Sequence, residues 1–204
     1  MNPRKAAACA LILAPLIGGC AALQPPRVES PTLYLLDAQL AAAVPRSQRG
    51  LVLAVEAPRA RPGFATPQMA YVRQPPKLDY YAKNRWVDTP SRMLAPLLAQ
   101  ALAQSGSFHA VVQTPSLVAA DLRLDTELIR LQQDFATEPS RVQLTLRAQL
   151  IDVKTNKVLA AKEFDEVEPA PSDDAYGGAV AANRALQRLL DQLSDFCVAA
   201  SGGR

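Results

Sequence analysis

Histidine is almost missing from this 204-residue chain: His109 is the only one. A single imidazole excludes multi-histidine metal sites and most Cys/His metal patterns. It could still serve a Ser or Cys nucleophile, but Phe108-His109-Ala110-Val111-Val112 reads as a short strand with no nucleophile-elbow pattern around it. We therefore read His109 as structural. Neither a GxGxxG nor a phosphate-loop motif is present, so no nucleotide site is encoded in the usual form and no cofactor is expected. Lys and Arg number 22 against 19 acids, with no dense basic cluster, which argues against a nucleic-acid partner. Long apolar runs are missing too. The longest, Ala6 to Gly19, has 14 residues, short of the roughly 18 to 20 that a spanning helix needs.

That short run is informative for what surrounds it. Arg4 and Lys5 precede it and Leu16-Ile17-Gly18-Gly19-Cys20 closes it, the order of a secretory signal: basic start, short apolar stretch, small residues at a cleavage point. The small-small-Cys ending resembles a bacterial lipobox, in which the cysteine sulfur receives diacylglycerol and the new amino group is acylated. Cys9 also follows small residues, but nothing apolar precedes it, so Cys20 is the expected lipidation site. Three acyl chains exceed the two signals that stable anchoring takes. Ala21, where Asp would retain a lipoprotein at the inner membrane, points to the outer one. Cleavage before Cys20 removes Arg4 and Lys5 and takes the formal charge from +3 to +1. It also leaves only Cys20 and Cys197, so no intramolecular disulfide is expected although the periplasm permits one. Cys197 lies on the apolar face of a predicted helix and reads as a buried hydrophobe.

The organisation that follows is a signal peptide at 1–19, an acylated Cys and Pro-rich tether at 20–31, and one domain at 32–200. Pro25, Pro26 and Pro31 make the tether semi-rigid, with a reach of at most about 40 Å. Thr32–Asp37 reads as a first strand. Leu51–Glu56 is a continuous apolar run that fits a strand buried on both faces. Gln68–Arg73 and Leu78–Tyr81 suggest a hairpin, and the prolines around them favour edge positions. Thr89-Pro90 opens a helix with the stripe Met93, Leu94, Leu97, Leu98, Ala101 and Leu102, with Pro96 inside it. Asp121–Gln133 alternates at Leu122, Leu124, Thr126 and Leu128, then changes phase to Ile129 and Leu131, which predicts a bulge near Leu128. Arg141–Leu150 alternates cleanly, and Lys154–Lys157 turns the chain into Val158–Phe164, completing an antiparallel meander. A second helix starts at Ser172-Asp173-Asp174. The fold class expected is α+β, a mainly antiparallel or mixed sheet with two principal helices packed on one face.

Five of the eleven aromatics, Phe64, Tyr71, Tyr80, Tyr81 and Trp86, fall between residues 64 and 86, with Lys77, Lys83 and Arg85 among them. Two readings fit. One is a partner or lipid-headgroup surface carried by Tyr80, Tyr81, Trp86 and Arg85, since Tyr and Trp combine apolar area with a polar handle. The other is cross-strand packing, with Trp86 wedged against the first helix.

Several landmarks in order resemble the ABC-type transport auxiliary lipoproteins, which include the PqiC-like lipoproteins. They are Tyr34-Leu35-Leu36-Asp37, Val55-Glu56-Ala57-Pro58, Met69-Ala70-Tyr71-Val72-Arg73, Leu78-Asp79-Tyr80-Tyr81, and Arg85-Trp86-Val87-Asp88-Thr89-Pro90 running into Met93-Leu94-Ala95-Pro96-Leu97-Leu98. The resemblance implies a non-catalytic accessory, docked on the outer-membrane side of a transport system for phospholipids or other hydrophobic molecules. The partners it implies are an MCE-domain periplasmic protein and, through it, an inner-membrane permease and ATPase. A homo-oligomer matching an MCE ring is compatible with it. Two other functions stay open: an outer-membrane assembly or structural lipoprotein supporting a barrel or secretion channel, and an envelope hydrolase built on His109 or on Asp79 with Asp88.

Overall fold

The structure is a computed structural model that describes residues 30–38 and 49–203. The signal-peptide reading, Cys20 with most of the tether, and the Ala-rich stretch 39–48 lie outside the described residues. In chain order the described elements are β1 (Thr32–Tyr34), β2 (Arg49–Val55), β3 (Arg59–Ala60), β4 (Gln68–Val72), β5 (Asp79–Trp86), α1 (Pro90–Gln104), β6 (Phe108–Gln113), β7 (Leu122–Asp134), β8 (Arg141–Asp152), β9 (Lys157–Pro169) and α2 (Ala175–Ala200), followed by a short 3-10 turn.

The period-2 pattern of β8 sets one face of the sheet. Val142, Leu144, Leu146, Ala148 and Leu150 are all buried, while Gln143, Arg147 and Gln149 between them are partly exposed. β7 pairs antiparallel with β8 along its whole length, and β9 pairs antiparallel with β8, so the expected meander is present. The register of β7 on β8 shifts between Leu128 and Arg130, which places the extra residue at Ile129. Leu122, Leu124 and Leu128 point to the core before that bulge, and Leu131 and Gln133 after it. One inserted residue thus restores the inward phase that strict alternation would have lost.

The other edge of β7 carries three short strands in succession, all parallel to it: β2 opposite Leu122–Leu124, β3 opposite Glu127–Leu128, and β4 opposite Gln132–Asp134. From there the sheet divides into two branches. β6 adds in parallel to β2, while β5 adds antiparallel to β4 and β1 adds in parallel to β5. The hairpin of β4 with β5 is as expected, but neither strand is an edge, because β4 lies between β5 and β7 and β5 between β4 and β1. The prolines that suggested edges, Pro67, Pro75 and Pro76, sit outside both strands and remove no ladder donor from them.

Both helices lie against the buried face of the sheet, α2 over β7, β8 and β9 and α1 over β6, β2 and β3, and they touch each other. Leu94, Leu98 and Leu102 of α1, and Leu186, Leu189, Leu190 and Leu193 of α2, are completely or almost completely buried. Each such side chain contributes about 1.5–3 kcal/mol relative to exposure. Pro90 holds the first position of α1, and the helix continues through an exposed Pro96. Thr89 is the N-cap residue by conformation, although its hydroxyl caps nothing; the Asp88 carboxylate instead accepts from the Thr89 N–H at 2.7 Å. At α2 the cap is Asp174, which accepts from the Gly177 N–H at 2.7 Å and from the Ser172 hydroxyl at 2.8 Å. The Asp174 carboxyl is held below its ordinary pKa chiefly by that backbone donor.

In the first turn of α2, Gly177 and Gly178 are packed so tightly that neither position has room for a side chain. A Cβ on Gly177 would stand 2.0 Å from the Ser172 carbonyl oxygen, and one on Gly178 would stand 2.3 Å from Oε1 of Gln133. Both Gly177→Ala and Gly178→Ala should destabilise the fold by about 1–3 kcal/mol or more. Gly177→Ala should be the worse, because backbone rather than a side-chain end stands in its way. Urea unfolding read by far-UV circular dichroism measures both, and an unshifted midpoint for either would contradict this packing.

Candidate functional site

The pairing of β5, with its register shift against β4, sorts the four residues of the aromatic segment. Trp86 ends β5 pointing under the helices and is 4% exposed, packed with Met69 and Leu131. Its backbone N–H donates to the Pro67 carbonyl at 2.8 Å. Trp86 is thus core, the packing alternative of the two readings. Tyr80 is partly buried and gives its hydroxyl to the Gly63 carbonyl at 3.0 Å. Tyr81 is half-buried, tilted against Tyr71 with ring centroids 4.8 Å apart, and burial pushes its phenol up to about 12. Of the four, only Arg85 is exposed.

Tyr81 belongs to a buried polar chain. Its hydroxyl donates to Oε1 of Gln133 at 2.9 Å, and Nε2 of Gln133 donates to the Ser140 hydroxyl at 2.8 Å. The Ser140 N–H then donates to Asp173 at 2.8 Å, just before α2. Gln133 is 3% exposed and both ends of its amide are satisfied, as a buried polar side chain requires. This chain ties β5, β7 and the segment before α2 together and ends at the exposed Asp173. Sequence reading gave no signal for it, since a lone Gln on a strand does not announce burial.

A second amide fixes the N-terminal segment. Asn183 of α2 accepts from the Asp37 N–H at 2.8 Å and donates to the Leu35 carbonyl at 3.1 Å. The Val87 N–H donates to the Tyr34 carbonyl at 2.9 Å, and Leu36 is 4% exposed. With Tyr34 and Leu36 turned inward, Leu33 and Leu35 stand outward, 56% and 53% exposed, beside Val87 at 48%. Leu33 is the register partner of Arg85. A separate apolar group follows the outer strand of the other branch. Leu117 is as exposed as in an isolated extended peptide, at 107%, with Val118 next to it. Asp121, at the end of that segment, meets the β8–β9 connection through the Val153 N–H, which donates to its carbonyl at 3.0 Å. Val153, Val158, Lys154 and Lys157 are exposed there.

The open face of the sheet is a lattice of ion pairs. Its cleft of about 100 Å³ is lined by Arg59, Asp125, Thr126, Glu127, Arg147 and Gln149. Asp125 pairs with Arg123 at 2.9 Å, and Glu127 with Arg147 at 3.5 Å and Arg61 at 3.6 Å. The groups a hydrolase would need are not brought together. His109 is exposed on β6, Asp79 pairs with Lys77 at 3.0 Å and Asp88 with Arg92 at 3.2 Å. Asp79 opens β5 and Asp88 lies beyond its end, about 25–30 Å away along the chain. Among the described residues no group of three or more His, Cys, Asp or Glu could hold a metal, and no helix is long and apolar enough to cross a membrane.

The family model for the ABC-type transport auxiliary lipoprotein component matches residues 34–194. Among solved structures, the chain is similar to protein XCC0632 from Xanthomonas campestris, with 22% identity and a TM-score of 0.77 over 83% of this chain and 96% of that one. It is also similar to an uncharacterized protein, at 12% identity and a TM-score of 0.66 over 82% and 99% of the two chains. A third is hypothetical protein CT253 from Chlamydia trachomatis, at 10% identity and a TM-score of 0.55 over 76% and 100%. At these identities the likeness establishes a shared fold. No curated protein matches the sequence.

The placement of Trp86 and Arg85 separates packing from surface. Trp86→Ala should cost about 3–5 kcal/mol, whereas Arg85→Ala should stay within about 0.5 kcal/mol of the parent; denaturant unfolding measures both. Cys197 is completely buried, and burial pushes its thiol up to about 12. It should therefore stay protonated and unreactive toward a thiol reagent at pH 8 in the native protein, and react once the chain is unfolded in guanidinium. Fast labelling of the native protein at Cys197 would contradict that placement.

Proposed function

Since the chain belongs to the ABC-type transport auxiliary lipoprotein component family, we propose that it is the outer-membrane-anchored, periplasm-facing accessory of an MCE-type ABC transport system for phospholipids or other hydrophobic molecules. On this reading it acts by binding, with an MCE-domain protein as its direct partner and the permease and ATPase reached through that partner. The observation that carries the proposal is the family match over residues 34–194. The sequence before it supports an anchor: a basic start, a short apolar run and Gly18-Gly19-Cys20. The paired charges of the open-face cleft and the separation of His109, Asp79 and Asp88 support a role that performs no hydrolysis.

Leu117 and Val118 are the natural candidates for partner contact. A fully exposed leucine on a loop contributes nothing to this fold and gains by desolvation in an interface. They stand on the branch of the sheet away from β1, where the tether arrives.

Affinity purification of the tagged, full-length protein from detergent-solubilised membranes tests the reading. An MCE-domain protein should come with it, and Leu117→Asp should reduce that recovery several-fold without releasing the protein from membranes. Cys20→Ala should move the protein to the soluble fraction. Reproducible recovery of only a barrel or secretion component, in cells that contain an MCE protein, would overturn the transport role.

A further inference from the structure

Two connections meet at the start of β7. The loop from β6 to β7 carries the exposed Leu117 and Val118, and the turn from β8 to β9 carries the exposed Val153 and Val158. One backbone bond joins them, the Val153 N–H donating to the Asp121 carbonyl at 3.0 Å. Leu159 is the extra residue of a bulge, since Ala160 faces Leu150 and Val158 faces Ile151. Val158 is 53% and Leu159 38% exposed, so two consecutive apolar residues of β9 stay out of the core. Bulges re-aim side chains in this way.

Both connections are fixed at their bases. Thr114 gives its N–H to the Val55 carbonyl at 3.1 Å and its hydroxyl to Glu56 at 2.7 Å. At the other stem the Val52 N–H donates to the Asp121 carboxylate at 2.8 Å, and the Asp121 N–H donates to the Val52 carbonyl at 2.9 Å. In the turn, Asp152 accepts from the Thr155 N–H at 2.9 Å, and Asn156 takes the left-handed backbone with φ of 54°. A surface set before contact loses little freedom on binding. Its charge is one-sided. Lys154 and Lys157 are exposed, and neither forms an ion pair among the described residues. The acids around them are turned to the fold: Glu56 and Asp121 through the bonds just given, and Asp152 is 4% exposed.

We propose that the two connections act together as the docking surface for a protein whose matching site is apolar and rimmed by Asp or Glu. This rests on the reading of the chain as an accessory that binds an MCE-domain protein, which is then the owner of that acidic, apolar site. The apolar side chains supply area to be desolvated, and the two lysines set the register and exclude a basic surface. A bilayer is the competing occupant, because apolar side chains beside lysines also meet lipid. Position favours the protein. The chain enters the fold at Thr32, opposite Asn84, which adjoins Arg85, the partner of Gln68; Ala70, two residues on, faces Gln132. The entry is therefore level with the second half of β7, whereas the two connections meet at its start, about 25 Å back along the strand. β5 and β4 also stand between β1 and β7 in the sheet.

The experiment recovers the tagged, full-length acylated protein from cells that contain an MCE-domain protein and measures how much of the latter comes with it. Lys154→Glu combined with Lys157→Glu should lower that recovery several-fold, and so should Val158→Asp, with thermal melts unchanged. Lys154→Arg combined with Lys157→Arg should retain it, as should Arg85→Glu, an exposed charge on β5. If the parent recovers the MCE-domain protein and the Lys154→Glu, Lys157→Glu variant recovers as much, the acidic site is overturned while the partner reading stands. If the parent recovers none, the partner reading is overturned and this inference with it. Thr155→Cys, labelled with an environment-sensitive fluorophore, decides between protein and lipid. Cys197 is buried and the Cys20 sulfur is blocked once acylated, so the label goes to position 155. On vesicles of phosphatidylethanolamine with about 30% phosphatidylglycerol the label should stay in water. It should shift to the blue when the purified MCE-domain protein is added. A blue shift on vesicles alone identifies lipid as the occupant and overturns the proposal.

Discussion

The rest of the structure depends on one strand and the different use of its two edges. β7 is 13 residues long, about 43 Å when extended. One edge is matched along its whole length by β8. The other is shared by β2, β3 and β4, which dock in ascending order and in one direction. A chain that passes three times along one edge in parallel has to travel from residue 49 to 72 without folding back between strands. Pro58, Pro62, Gly63 and Pro67 suit the irregular connections this requires. The left-handed backbone at Gly63, with φ of +85°, is where such a connection needs a residue without a Cβ. Because the three docked strands are short, the sheet splits into two branches, and the outermost strand of each branch carries or leads into exposed apolar residues.

The bulge at Ile129 makes that arrangement compatible with one buried face. Without it, the alternation established by Leu122, Leu124 and Leu128 would turn Gln133 to the open side. With it, Gln133 reaches Tyr81, Ser140 and the bare first turn of α2. A polar side chain left without partners at that depth would cost about 1–3 kcal/mol. Both ends of the amide are bonded, so it acts as a positional lock between sheet and helix. Apolar packing along Leu186, Leu189 and Leu193 holds α2 down; the amide and the two glycines fix where along its axis the helix begins. Arg188, forked between Glu166 at 2.8 Å and Glu168 at 2.7 Å, then ties the middle of α2 to β9.

Elements whose pattern is local were legible in the sequence, and elements defined by partners were not. The clean alternation of β8, the phase change of β7 and the stripe of α1 are properties of single segments, and each is present where expected. The aromatic segment is different. Tyr71, Tyr80, Tyr81 and Trp86 share a composition, yet their fates differ because β4 and β5 are internal strands, and whether a strand is internal is decided by pairing with residues far along the chain. Flanking prolines pointed the wrong way for the same reason: they end a strand without saying what lies beside it. Asn183 is the plainest case. On a helix it reads as one more polar residue, while its meaning, a clamp on Leu35 and Asp37, depends on a segment 146 positions away. The exposed leucines are a case of the same kind, since the run Leu33-Tyr34-Leu35-Leu36 is apolar throughout and only its pairing shows that Tyr34 and Leu36 are the inward positions.

The clamp also bears on how an anchored accessory works. On the proposed anchoring at Cys20, attachment alone leaves the orientation of the domain at the bilayer open. The tether does not end on a frayed terminus, however. It runs into a segment held by two bonds from Asn183, one backbone bond from Val87 and the burial of Leu36. Residues 32–37 are therefore held to α2 and the sheet as one body, not as a loose N-terminal strand. β7 joins both branches within one continuous ladder, so any surface that fixes the β1 side also fixes the direction in which Leu117 points. For the proposed accessory, which acts by binding, a rigid sheet entered at one branch and exposed at the other suits a role of setting the direction in which a partner is met.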